Sequence, residues 1–387
     1  MGRLGVVFGV ALSLFPALAQ AEVPFWHTLG QGGFLEAEAE RFNALQSRYR
    51  LKPRFVGDYR ELGLLLTAAL RNGTQPPFLQ VELSFLPVLA RAGLLEPLTP
   101  PSMPLDPHLL ALGRVGGKQW GLPLGVSFPV LYFNRSALEA RGVSPPKTPE
   151  ELFHAAKRLS SRASKGLLFS ADLYSFSLLV LAQGGRLADG GEPWFQGGLP
   201  ALRWLLGLGR EGALQVRGYN ELTQAALDFL RTKAFMAFGP STLLPAVEAR
   251  TDIPFPVGAV LFPTDPTGTL GASGAVFVLL KGASLQEKAA FQAFYAHLMD
   301  PVRQQDLAQG THYIPLHVEA QATFFKTSVG RLLGNAKARL RPWHQDAPLV
   351  LWAGPLERAL ERVLKGGVAP ERALEEAERE ARTLTFP

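Results

Sequence analysis

Val23-Pro24-Phe25-Trp26-His27, then Gly30-Gln31-Gly32-Gly33, then the helix formers from Phe34 to Leu45 set the fold: a short apolar strand, a glycine turn and a helix in succession. The pattern repeats at once. Tyr49 to Phe55 alternates as a strand does, Tyr59 to Arg71 reads as a helix closed by Asn72-Gly73 and Pro76-Pro77, and Phe78 to Leu83 is a third strand. Strand, helix, strand, helix, strand predicts a parallel sheet with helices on its faces. After a helix from Phe85 to Ala92, the stretch Trp120 to Asn134 is rich in Val, Phe, Leu and Tyr and predicts extended chain leaving this first lobe.

Further on, Thr148-Pro149-Glu150-Glu151 carries a helix start: Thr148 as cap, Pro149 at the first helical position and Glu151 three residues after the cap. That helix is expected to run to about Leu159, with a predominantly helical region to about Phe235. The strand-like Phe235 to Phe238 precedes Gly239-Pro240-Ser241-Thr242. Ala275 to Leu280, after Gly271-Ala272-Ser273-Gly274, is a second extended stretch expected to carry the chain back between lobes. Helices from Leu285 to Met299, Pro301 to Gln309, Pro355 to Leu364 and Pro370 to Leu384 close the chain.

The 387 residues hold no cysteine, which excludes disulfide scaffolds, thiolate metal sites and cysteine nucleophiles. Lys plus Arg number 39 against 33 Asp plus Glu, a formal +6, but the basic residues are scattered among acidic ones rather than gathered in a stripe, so no nucleic-acid partner is expected. At the N-terminus, Arg3, an apolar run from Leu4 to Leu18 and Ala19-Gln20-Ala21 read as a secretory leader cleaved after Ala21. A spanning anchor needs about 20 continuous apolar residues, and Gln20 and Glu22 come too soon. With no cysteine to carry a lipid, the chain is expected to be free of a membrane anchor, in a periplasm.

Local catalytic signatures are weak or absent. There is no His-Glu-x-x-His helix, Walker loop or Gly-x-Ser-x-Gly elbow. Gly207-Leu208-Gly209-Arg210-Glu211-Gly212 matches the dinucleotide fingerprint but follows the helical Trp204-Leu205-Leu206, whereas that motif works at a strand-to-helix turn. The seven histidines lack ligand spacing and are expected to be satisfied or exposed. The carboxylate pairs Glu36 with Glu38 and Glu375 with Glu376 fall on solvated helical faces. No metal, cofactor or catalytic residue is expected, and the chain is not expected to be an enzyme.

Taken together, Pro24-Phe25-Trp26-His27, Glu40-Arg41-Phe42-Asn43, Pro129-Val130-Leu131-Tyr132-Phe133-Asn134 followed by Leu138 and Gly142, and Pro146-Lys147-Thr148 resemble the extracellular solute-binding proteins of ABC importers. Gly57-Asp58-Tyr59, Leu79-Gln80-Val81 and Tyr313-Ile314-Pro315 are similar to the members that bind sn-glycerol-3-phosphate. The resemblance runs in order to Gly366 and Pro370-Glu371-Arg372-Ala373-Leu374. It implies an α/β, two-lobed periplasmic-binding-protein fold with crossover hinge strands and a ligand cleft between the lobes. Residues 22–126 and 281–345 would form lobe 1, residues 127–280 and 346–387 lobe 2, with crossovers at Ser127 to Asn134 and Ala275 to Leu280.

The same resemblance implies ligand contacts from Tyr59, at a helix start suited to an anion, from Ser127 and from Tyr313. The carboxylate that accepts glycerol hydroxyls falls on Leu83, leaving Glu82 one residue earlier and on the opposite strand face unless the chain bulges. The cleft serine falls on Pro240 with Ser241 beside it, the ligand glycine on Ser273 with Gly274 beside it, and a tryptophan on Tyr174. The phosphate-binding arginine falls on Ala353, next to Trp352, which could offer a stacking face. Since a bidentate arginine is among the stronger phosphate contacts, its loss favours a glycerophosphodiester such as glycerophosphocholine at least equally with glycerol-3-phosphate; a neutral oligosaccharide is the next choice. The implied partners are a small polar solute and the transmembrane subunits of an ABC permease, with the receptor a monomer. A secreted hydrolase and a receptor serving a sensor are the competing classes.

Overall fold

The computed structural model describes residues 20–386, without the side chains of Tyr59 and Arg60. The expected leader therefore falls almost wholly outside the described residues. Among them, no helix is long and apolar enough to cross a membrane.

Two sheets organise the chain. Numbered in chain order, their strands are β1 (Ala21–His27), β2 (Tyr49–Phe55), β3 (Phe78–Glu82), β4 (Gly121–Ser127), β5 (Pro129–Asn134), β6 (Lys165–Ala171), β7 (Leu214–Gly218), β8 (Ala234–Pro240), β9 (Val257–Leu261), β10 (Leu270–Leu279), β11 (Ile314–Pro315) and β12 (Leu340–Pro342). The first sheet runs β11-β4-β10-β3-β1-β2, with β12 also paired to β10; the second runs β7-β6-β8-β5-β9. As the opening pattern predicts, β1 pairs in parallel with both β2 and β3. The helices Phe34–Leu45 and Tyr59–Asn72 connect them.

The core of the first lobe is aromatic. Phe25 of β1 stacks on Phe78 of β3 with centroids 5.0 Å apart, and Phe277 of β10 and Phe294 of the helix Leu285–Leu298 close around them. All four rings are essentially inaccessible, and each stabilises the lobe by roughly 1.5–3 kcal/mol through burial. In the second lobe Thr148 caps the helix Pro149–Leu159, its hydroxyl accepting from the Glu151 amide at 3.1 Å. The expected cap is thus observed.

Two expectations need correction. The region described as helical up to Phe235 contains β6 and β7, which pair in parallel from Leu167 with Leu214 to Ala171 with Gly218. Gly166-Leu167-Leu168-Phe169 is buried on both faces, so it shows no polar alternation and reads no differently from a short buried helix. Ala275 to Leu280, expected to cross between lobes, instead lies in the first sheet: β10 pairs with β3 on one side and β4 on the other. The return crossing is residues 262–269, between β9 and β10.

The outward crossing is one residue long. Phe128 alone separates β4 from β5, and it is clipped to the second lobe by Ser241: the Ser241 amide donates to the Phe128 carbonyl at 2.8 Å, and the Phe128 amide donates to Ser241 Oγ at 3.2 Å. After β12 the chain returns to the second lobe, where the helices Ala353–Leu364 and Pro370–Ala381 pack on each other and on the helix Leu199–Arg210.

Candidate ligand-binding site

A cavity of about 810 Å³ opens between the two sheets. Its walls come from strand ends and the turns after them, where parallel-stranded lobes present backbone and side chains to a ligand. From the first lobe come Glu82, Ser127, Ser273, Gly274, Tyr313 and Trp343; from the second come Tyr132, Asp172 and Tyr174. Six expected residues, Glu82, Ser127, Tyr174, Ser273, Gly274 and Tyr313, are therefore brought together. Three are not. The helix Tyr59–Asn72 begins where expected, but the Tyr59 side chain lies outside the description. Ser241 is fully buried, with its hydroxyl spent on the Phe128 clip. Trp352, only 3% exposed, packs against Phe195 with ring centroids 6.3 Å apart. It offers no free stacking face, because the helix that follows turns it into the second-lobe core.

Glu82 reaches the cavity because β3 ends on it. The chain turns into a 3-10 helix, Leu83–Phe85, and Glu82 becomes the cap, accepting from the Ser84 amide at 2.9 Å and from the Ser84 hydroxyl. Leu83 points into the core instead. Strand alternation stops here, so the face it assigned to Glu82 does not apply. Burial pushes the Glu82 carboxyl up to about 7, against the Ser84, Gly274 and Leu83 amides and the Trp343 indole, which favour the charged form. Its Oε1 meets no partner in hydrogen-bonding geometry among the described residues.

Gly274 has φ +148°, and a Cβ there would sit 2.2 Å from the Gly125 carbonyl oxygen. Only glycine lets β10 approach β4 so closely. Immediately after it the register with β4 shifts between Ala275 and Val276, a bulge that turns the Ser273-Gly274 end of β10 toward the cavity. Ser273 stands opposite Ser127 in the pairing, which brings two hydroxyls to one edge of the first sheet.

Tyr174 is carried at the start of the helix Leu173–Ala182. Asp172 caps that helix, accepting from the Ser175 amide at 2.7 Å and the Ser175 hydroxyl at 2.9 Å, while Glu357 accepts from the Leu173 amide at 3.1 Å. Burial raises the Asp172 carboxyl in spite of those donors. Burial, with the Glu82 and Asp172 carboxylates nearby, also pushes the Tyr174 hydroxyl above its ordinary value, and burial beside Glu82 takes Tyr313 to about 12. Both phenols are donors at neutral pH. Tyr132 is already committed, donating to the Pro240 carbonyl at 2.7 Å.

Sequence reasoning missed Trp343. The residue is 4% exposed, its indole N–H lies toward Glu82 without a well-aligned hydrogen bond to any described residue, and its ring meets Tyr174 edge to face. It is placed by β12, which pairs in parallel with β10, and by the preceding 3-10 segment Gly334–Arg339. Lys337 of that segment pairs with buried Asp106 and donates to Gln321 at 3.0 Å, and His108 Nε2 contacts the Leu340 carbonyl at 3.1 Å. Nothing local to Trp343 signals this, because every anchor is distant in sequence. Asp172 was more accessible: an aspartate directly before an apolar run is a helix-start signal.

Three buried polar atoms of the cavity wall, Glu82 Oε1, Tyr174 Oη and Trp343 Nε1, make no well-aligned hydrogen bond among the described residues, with the Trp343 indole lying toward Glu82 and the Tyr174 hydroxyl toward Ser273. Such groups are costly to bury unsatisfied, and one acceptor with two donors is a set that a hydroxyl-bearing solute can satisfy. The cavity's charge is acidic. Arg250 is the one cation among its described lining residues, and it stands exposed at the rim, held bidentately by Asp252 at 2.5 and 2.8 Å. Among the described residues no three His, Cys, Asp or Glu side chains gather as a metal site. His27 and His344 are only partly satisfied: His344 accepts at Nδ1 from the Asp346 amide at 3.1 Å while its Nε2 has no partner among the described residues, and His27 Nε2 stands 3.6 Å from Glu36 Oε1 without a well-aligned hydrogen bond; burial lowers both, His344 to about 3.

Two α/β lobes, crossing segments between them and a cavity with one polar wall at the junction define a two-lobed solute-binding protein. The chain belongs to the bacterial extracellular solute-binding protein family, whose model matches residues 38–328. Among curated relatives, the sn-glycerol-3-phosphate-binding periplasmic protein of Rhizobium meliloti is 30% identical over 172 residues, 40% of this chain and 39% of that protein. The match therefore spans well under half the relative's length. Solved structures share the fold over 94% of the chain. They include the sugar-binding protein MalE of Xanthomonas citri (TM-score 0.77, 17% identity, 97% of that chain), the GacH receptor of Streptomyces glaucescens, studied unliganded and with acarbose (0.76, 20%, 98%), and UgpB of Mycobacterium tuberculosis in complex with glycerophosphocholine (0.71, 19%, 98%).

Proposed function

We propose that this protein is the periplasmic receptor of an ABC importer, that it captures a glycerophosphodiester such as glycerophosphocholine, and that it delivers the solute unchanged to the permease. The observation that carries the ligand class is the pairing of an acidic, aromatic wall with the absence of a free cation among the described lining residues. Glu82 can accept glycerol hydroxyls or face a quaternary ammonium, and Tyr174, Trp343 and Tyr313 supply π-faces that attract such a cation. A dianionic phosphomonoester would stand against Glu82 and Asp172 with only the rim Arg250, already paired, to answer it. The position where the family resemblance implies an arginine is Ala353, which is buried. A phosphodiester has one negative charge, and in a choline ester that charge is balanced.

The same carboxylate and aromatic pairing also suits a neutral oligosaccharide, the second reading. Function here is closure over a ligand that touches both lobes, since a solute shifts the equilibrium only through contacts it makes better in one state. The predicted leader and the family's extracellular character support export to the periplasm. Parallel thermal melts with glycerophosphocholine, glycerol-3-phosphate and maltose test the reading. A ligand at 100 times its dissociation constant stabilises the fold by about 2.7 kcal/mol, and glycerophosphocholine is expected to give the largest shift. No shift with either phosphate compound rejects the ligand class, and recovery of a chemically altered solute rejects a binding-only role.

A further inference from the structure

The cavity does not end at its polar wall. It continues into the second lobe as a trough between the helices Leu222–Leu230 and Leu244–Glu248, lined by Leu222, Ala226, Phe229, Leu243, Ala246 and Val247. Leu222 and Leu243 are 56% and 49% exposed. Ala226 and Ala246 are exposed as well. These six side chains offer no hydrogen bond, and the nearest hydroxyls in sequence on the cavity lining are Tyr219 and Thr242, which precede the two helices.

We infer that the physiological solute is amphiphilic: a polar head at Glu82, Tyr174 and Trp343 and a hydrocarbon chain in the second-lobe trough, as in a monoacyl glycerophosphodiester. This rests on the proposed ligand class for the head. Sugar or glycerol hydroxyls laid along these six side chains would lose water and gain no partner from them, whereas a hydrocarbon chain gains about fourfold in affinity for each methylene taken out of water. The trough and the polar wall belong to one continuous cavity, so one molecule can occupy both. The unpartnered acceptor and donors lie at one end only, which fixes the orientation, head toward Glu82 and tail toward the rim where Leu222 and Leu243 stand. The paired Arg250 lies on the lining too, at the exposed second-lobe side, and leaves the trough without a free charge.

Calorimetric titration with two matched pairs of ligands tests this, all held below their micelle-forming concentrations: glycerophosphocholine against its monohexanoyl ester, and maltose against hexyl maltoside. The hexanoyl ester is expected to bind at least about tenfold tighter than glycerophosphocholine. Ala226→Phe, which fills the trough, and Ala246→Glu, which charges it, are expected to abolish that gain and leave glycerophosphocholine binding unchanged. Both replaced side chains are exposed, and a melt of each variant checks that folding is intact. Equal affinity within both pairs overturns the inference while leaving the head-group reading intact. If neither choline compound binds but hexyl maltoside binds more tightly than maltose, the trough stands and the choline reading falls. Absence of binding by all four overturns both.

Discussion

Tyr174 and Trp343 meet edge to face, their ring centroids 5.7 Å apart and their planes at 78°, although Tyr174 belongs to the second lobe and Trp343 follows the last strand of the first sheet. This aromatic corner is a joint between lobes as well as a wall of the cavity. A solute that packs on both rings holds the lobes in the arrangement seen here. Trp343→Ala is expected to weaken solute binding by about tenfold or more and to lower stability by about 3–5 kcal/mol, as loss of a buried tryptophan does. Trp343→Phe keeps a ring but loses the N–H and is expected to recover most of the stability and only part of the affinity. Calorimetry and chemical denaturation on the same preparations separate the two effects.

Glu82 gives the site a pH signature. Its carboxyl is raised from an ordinary 4.5 to about 7, so the empty folded protein holds a proton there that the unfolded chain releases. That contribution to stability is complete below about pH 4.5 and is lost as pH rises through about 7. The melting temperature of the empty protein is expected to fall across that window relative to Glu82→Gln. A solute that donates to the carboxylate, or brings a cation beside it, favours the charged form, so affinity is expected to rise through pH 7 and level off above it. In Glu82→Gln the profile should be flat.

Asp106 titrates with the opposite sign. Burial alone would raise its carboxyl, but the Lys337 ammonium, the Leu109 amide and Gln321 outweigh it and hold the group below its ordinary value. Stability from this cluster is present above the unfolded value and is lost as pH falls below about 4. Because Lys337 anchors the segment leading to Trp343, Lys337→Met is expected to lower both acid resistance and solute affinity. Acid denaturation followed by tryptophan fluorescence, with a parallel titration of the solute, reads both.

Trp352 and Ser241 are expected to behave as structural residues. Trp352→Ala should cost about 3–5 kcal/mol with affinity unchanged in the surviving folded fraction. Ser241→Ala leaves the Phe128 amide without its acceptor and should cost about 1–3 kcal/mol. Since Phe128 is the single-residue crossing, small-angle scattering of Ser241→Ala is expected to show a broader distribution of lobe separations. Denaturant titration checks both stability effects.

Much of the fold was legible because its signals are local. The strand-turn-helix alternation from Val23 to Leu83 reads directly as a parallel sheet, and Thr148-Pro149 with Glu151 marks a helix start that is found in place. What was not legible depends on distant partners. The strand Lys165–Ala171 is buried on both faces and so carries no alternation. The crossing at residues 262–269 cannot be told from β10 until the pairing of Ala275 with Glu82 places β10 in the first sheet. In the site, Tyr313, Ser127 and the Ser273-Gly274 turn came from family resemblance, whereas Trp343 depends on a two-sided anchor, to β10 and to Asp106, that no sequence window contains. Glu82 was half legible. A carboxylate was expected at this turn, and its place in the cavity wall became readable only with the 3-10 turn at Leu83.

The central claim is a cavity that binds a zwitterionic glycerophosphodiester without a phosphate-clamping arginine. Calorimetric titration of glycerophosphocholine and glycerol-3-phosphate into the purified protein and into Glu82→Gln tests it most directly. The account predicts one-to-one binding of glycerophosphocholine, at least about tenfold tighter than glycerol-3-phosphate, with that preference largely lost in Glu82→Gln. Tighter binding of glycerol-3-phosphate, or binding of maltose with no response to glycerophosphocholine, would contradict it.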